Sequence, residues 1–62
     1  MDTLIEELRK VMEEKKISPA TASKFIEADQ RQVYRWLKYE ASPTQLYRKA
    51  IKRGIDRIRR LP

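Results

Sequence analysis

Polar helix-start signals interrupt a helical apolar period again and again along this chain, and that punctuation constrains the fold more than any other feature. Ser18 is followed by Pro19, and Ser42 by Pro43 with Gln45 beyond it. Proline suits a first helical turn because the N–H it lacks would find no partner there. Asp29 and Gln32 stand at capping-box spacing, with Ala28 and Val33 at the two positions of a hydrophobic staple, and Thr3 and Glu6 repeat the box near the front.

Between these marks the apolar residues fall at i, i+3 and i+4. A first helix is predicted from Asp2 or Thr3 to about Lys15 or Lys16, with Leu4, Ile5, Leu8, Val11 and Met12 on one stripe. A short second helix runs from Ser18–Pro19 to near Ile26, and a third from Gln30 to about Lys38. A long fourth helix follows the Ser42, Pro43, Gln45 signal, its period carried by Leu46, Tyr47, Ala50, Ile51, Ile55, Ile58 and Leu61. Gly54 could cap that helix or lie inside it at a cost of about 1 kcal/mol. The period passes through it unbroken, which favours one continuous or slightly bent helix over two. No stretch alternates β-branched residues as a strand would. The expectation is an all-α, compact four- to five-helix bundle forming a single domain over residues 1–62, with one modest core.

Composition removes several classes. Cys, His and Asn are absent, so disulfides and thiolate or imidazole metal sites cannot form, and no cofactor is expected. Apolar runs reach only two or three residues, and Met1-Asp2-Thr3 is acidic where a signal peptide would be basic, so a soluble cytoplasmic protein is expected. The net charge is +6, unevenly spread. Up to Glu14 there are 2 basic against 5 acidic residues, whereas the remainder carries 13 basic against 4 acidic. One face is thus suited to a polyanion, although a charged surface that only keeps the chain soluble has the same composition.

The second and third helices, separated by Glu27-Ala28-Asp29, have the layout of a helix-turn-helix. Val33, Trp36 and Leu37 share the inward side of the third helix. Gln30, Arg31, Tyr34, Arg35 and Lys38 share the other, which holds no acidic residue. Arg can bond guanine O6 and N7 together, and Gln can pair with adenine N6 and N7.

The run from Ile17 to Trp36 resembles the core of the Cro and phage-repressor (XRE-like, lambda-repressor-like) helix-turn-helix family. Ile17, Ser18, Ser23, Asp29, Val33 and Trp36 match the family's places in order, and Pro43 falls where a proline often leads into the next helix. The resemblance extends from about Leu4 to Ile51. The chain departs from the pattern at Glu27, where the family's turn usually carries glycine, and at Ala22 and Ser23, which are smaller and more polar than the usual pair.

That resemblance implies binding to double-stranded DNA, as a transcriptional regulator or repressor, or as an accessory factor of a phage or mobile element, in a prokaryotic cell or phage host and associated with the nucleoid. It implies base-edge contacts from Gln30, Arg31 and Arg35, with Tyr34 at the margin. Phosphate contacts would come from Ser18, Thr21, Lys24, Lys38, Thr44, Gln45 and Arg48, several of them at helix N-termini that present free N–H groups. A homodimer on a two-fold site, or a domain working with fused neighbours, is expected because one such module buries little surface. Ile55, Ile58 and Leu61 are the expected dimer surface.

Other readings stay open at this level. The basic run Arg48, Lys49, Lys52, Arg53, Arg57, Arg59, Arg60 fits phosphate contact, a membrane surface or a solvated outer face, although an apolar stripe poor in Trp and Phe speaks against membrane binding. The whole domain could instead be an antitoxin-like or adaptor-like module binding an acidic protein. Single-stranded nucleic acid would call for an exposed aromatic platform, and Trp36 is expected in the core. Tyr39 and Tyr47 are expected over the core edge, and Phe25 partly exposed at a subunit contact. No catalytic role, small-molecule substrate or membrane partner is expected: the carboxylates lie on solvated helix faces, and one glycine permits no phosphate-cradling loop.

Overall fold

A computed structural model describes residues 2–62; Met1, the first residue of the acidic N-terminus, lies outside the described residues. Among the described residues the chain forms four α-helices and no strand. They are α1 (Thr3–Lys15), α2 (Pro19–Ile26), α3 (Gln30–Leu37) and α4 (Gln45–Arg59).

Each helix starts on a side-chain oxygen that satisfies a backbone N–H of the first turn. Asp2 accepts from Leu4 N at 3.1 Å, so α1 is capped one residue ahead of the predicted Thr3–Glu6 box. Ser18 accepts from Thr21 N, and Asp29 from Arg31 N at 2.8 Å. For α4 the cap is Thr44, which accepts from Tyr47 N, and neither Ser42 nor Pro43 takes part in the helix. Pro43 is buried two residues before it, because the chain first reverses at Tyr39 (φ 59°) and needs that length to re-enter the core.

The ends of α1 and α2 use left-handed backbone without glycine. Lys16 has φ 55° and Glu27 φ 65°, and the N–H groups of Glu27 and Ala28 both return to the Ser23 carbonyl, at 2.8 and 3.1 Å. Glu27 therefore takes the conformation for which the turn favours glycine, at the steric cost of a Cβ beside its own carbonyl.

One core lies inside the four helices, built from Leu4, Ile5, Leu8, Val11, Met12, Ala22, Ile26, Val33, Trp36, Ile51, Ile55 and Ile58. α2 packs against both α3 and α4, and α1 against α4 and α3. The small buried pair Ala22 and Ser23 lets α2 serve two neighbours, and the Ser23 hydroxyl donates to the Ala20 carbonyl at 2.6 Å, so its burial leaves no unpaired group. Trp36 is the largest buried side chain and meets Tyr47 edge-on at 5.1 Å between ring centroids.

Gly54 lies inside a continuous α4, as the unbroken period predicts, for a reason the period does not contain. A Cβ there would stand 2.6 Å from Ile26 Cγ1 and 3.3 Å from the Ile26 backbone, so glycine admits the end of α2. Three expectations are corrected. Leu46 is 76% exposed, because the apolar stripe of α4 begins at Tyr47. Ile55 and Ile58 are buried in the domain's own core and are not available as a dimer surface, and Leu61 packs partly against it. Tyr39 does not cover the core edge. It is half exposed and donates its hydroxyl to Glu6, whereas Tyr47 does pack against the core.

Candidate nucleic-acid interface

The Asp29 cap and the inward anchors Val33 and Trp36 fix the rotation of α3 about its axis. Gln30, Arg31, Tyr34, Arg35 and Lys38 are exposed as a consequence, with Tyr34 at 43%. Arg31, Arg35 and Lys38 make no ion pair among the described residues, so their charge is unspent. The Asp29 carboxylate, at the start of α3, is occupied by the backbone of the helix it caps. Eight helical residues span about 12 Å, comparable with the width of a B-DNA major groove.

The far end of α3 is tied to α1. Arg9 donates to the Leu37 carbonyl, and the Tyr39–Glu6 contact holds the chain just after the helix. Glu6 pushes the Tyr39 hydroxyl above its ordinary range, chiefly by accepting its proton in a hydrogen bond, with desolvation next. No spacing in the sequence announces these contacts, because they join residues about thirty positions apart.

Of the expected phosphate-facing residues, Ser18, Lys24, Lys38, Thr44 and Gln45 are exposed and Thr21 is partly so. Ser18 and Thr21 share a hydroxyl contact at 3.2 Å beside the start of α2. The Trp36–Tyr47 contact brings the beginning of α4, with Thr44 and Gln45, to the end of α3.

Arg48 differs from the rest. Its guanidinium grips Asp2 through two hydrogen bonds, 2.8 and 3.3 Å, and its side chain is 32% exposed. That hydrogen-bonded pairing outweighs desolvation and holds the Asp2 carboxyl below its ordinary range, and it raises Arg48 in turn. Arg48 thus joins α4 to the cap of α1. The pair lines an open concavity with Thr3, Tyr39 and Ser42.

No group of three or more metal-ligating side chains comes together among the described residues, and none of their helices is long and apolar enough to cross a membrane. Comparison of the chain with family models, curated proteins and solved structures returns no match.

Proposed function

We propose that this domain binds double-stranded DNA sequence-specifically, with α3 in the major groove, as a transcriptional regulator or an accessory factor of a phage or mobile element. The observation that carries this reading is the exposed stripe of α3: two arginines, a glutamine, a tyrosine and a lysine, free of carboxylates and rotated outward by a buried tryptophan. Side chains of this kind read base edges, and their cations draw in phosphate without first breaking an internal ion pair. The resemblance of residues 17–36 to the Cro and phage-repressor family supports the same assignment.

Gln30, Arg31 and Arg35 are the proposed readers, with Tyr34 beside them. Ser18, Thr21, Lys24, Lys38, Thr44 and Gln45 are the proposed phosphate contacts. Arg48 has a smaller share in this reading than the sequence implies, since a phosphate would have to compete with Asp2 for it. A homodimer on half-sites about 34 Å apart remains part of the proposal, formed through a surface other than Ile55 and Ile58.

Selection of bound sequences from a random duplex library tests this. Enrichment of a defined site, palindromic if the domain acts as a dimer, is the expected result. Recovery of unenriched sequences, or tighter binding to an acidic polypeptide than to any duplex, would overturn it.

A further inference from the structure

The outward side of α4 carries a second stripe of cations that the reading of α3 does not use. Tyr47, Ile51 and Ile58 turn inward on this helix. Arg48 and Arg59 lean onto α1, bound to Asp2 and Glu7. Gly54 and Arg57 lie against α2, where Arg57 donates to the Phe25 carbonyl at 3.2 Å. That leaves Lys49, Arg53 and Arg60 pointing away from the core, with Lys52 at their flank. All four are exposed and make no ion pair among the described residues.

One pair on this stripe works against helix stability. Lys49 and Arg53 are like charges at i, i+4, an arrangement that destabilises a helix, whereas Asp56 stands at the favourable i, i+4 spacing from both Lys52 and Arg60. Asp56 is the only acid on the whole of α4, whereas a surface that serves solubility alone intersperses both signs. The face also lacks the aromatic anchors of a protein interface, with the exposed Leu46 at one end as its only large apolar residue. Unpaired cations about one to two helical turns apart, with little apolar surface between them, suit a phosphate backbone.

The two stripes meet at one end, where Tyr47 touches Trp36 and Lys49 lies one turn beyond Gln45. Past that end α4 packs on α1 and α2, and Arg60 lies about 16 Å further along the helix axis than Lys49. The domain measures 20 × 19 Å across its short axes. The Debye length at physiological salt is about 8 Å, so phosphates at the far end of this stripe are largely screened from those at its start.

We infer that Lys49, Arg53 and Arg60 form a second, sequence-independent site for a DNA backbone, which lets one domain hold two duplex segments together. The inference rests on the reading of α3 as the first site. Its test is capture of a labelled 20-base-pair duplex by a bead-bound duplex at physiological salt, with the whole chain added. Binding of a single short duplex is followed in parallel by fluorescence anisotropy.

The wild-type chain is expected to capture the second duplex. The K49Q/R53Q/R60Q variant should lose at least tenfold in capture while its single-duplex affinity stays within threefold, its helicity and melting temperature confirming that it folds. A wild-type chain that binds one duplex but captures no second overturns the inference and leaves α3 untouched. So does a triple variant that captures as well as wild type; if that variant has instead lost binding to immobilised poly-L-glutamate, the face belongs to an acidic protein. A chain that binds no duplex at all overturns both readings.

Discussion

Arg48 reaches from the first turns of α4 to Asp2, the residue that caps α1, so one carboxylate both starts a helix and holds another against it. Because the folded protein keeps Asp2 ionised below its ordinary 3.8, the contribution of this pair is complete above that value and is lost as pH falls through the lowered one. Thermal melts between pH 6 and 2 should show stability falling at the acid end. Asp2→Asn, which keeps a capping oxygen, should be less stable at neutral pH and flatten that decline. An unchanged acid limb in Asp2→Asn would show that the pair contributes nothing.

Tyr39 gives the opposite sign. Its hydroxyl is raised above the ordinary 10.0, mainly by the hydrogen bond to Glu6, so the tether is intact below that pH and is lost as pH rises through the higher value. In an ultraviolet titration of the three tyrosines, one should ionise late, and Tyr39→Phe should remove that late step. Persistence of the step in the variant would assign it to another ring.

Gly54→Ala inverts the usual rule for a helix interior. Alanine gains about 1 kcal/mol in helix propensity, but its methyl would meet Ile26 at 2.6 Å and force the end of α2 away from α4. Overpacking of this kind costs about 1–3 kcal/mol, so denaturant melts should show a net loss. A stabilised variant would mean that α2 can give way freely.

At Glu27 glycine should help. The residue is exposed and left-handed, so Glu27→Gly loses no packing and removes a steric penalty of about 1–2 kcal/mol. The greater freedom of glycine in the unfolded chain takes back a share, leaving a gain of roughly 0.5–1 kcal/mol in the same melts. A variant less stable than wild type would contradict the strain at this turn.

Arg35→Ala bears on the groove. It should cost about 1–3 kcal/mol on the selected site and relax sequence preference, while Lys24→Ala should weaken selected and random duplexes alike. Equal losses on both duplexes after Arg35→Ala would remove this residue from base recognition. Both variants are solvent-facing, so an unchanged melting temperature accompanies the expected result.

Helix existence and order were legible in the sequence because capping is local. Ser18, Asp29 and the unbroken period through Gly54 each act within a few residues, and the observed α2, α3 and α4 follow them. The errors lie where tertiary structure decides. Thr44 outcompetes Ser42–Pro43 as a cap because the chain must first turn at Tyr39 and bury Pro43. Leu46 continues the apolar period but lies one position outside the packed stripe. Ile55 and Ile58 read equally well as a dimer face or as core, and only the position of α1 and α2 decides between them. For the α3 stripe, the outward side was legible from Val33 and Trp36 alone. Arg48 was not, since its partner lies 46 residues away.

The edge contact between Trp36 and Tyr47 has an optical consequence. The chain has a single tryptophan, and it sits on the back of α3 with a tyrosine ring 5.1 Å away. Its emission colour and the energy it collects from that tyrosine therefore report on the seating of one helix, with no label attached. Any ligand or substitution that shifts α3 on its core will register in that fluorescence, while a change confined to the solvent face of α4 will leave it dark to the event.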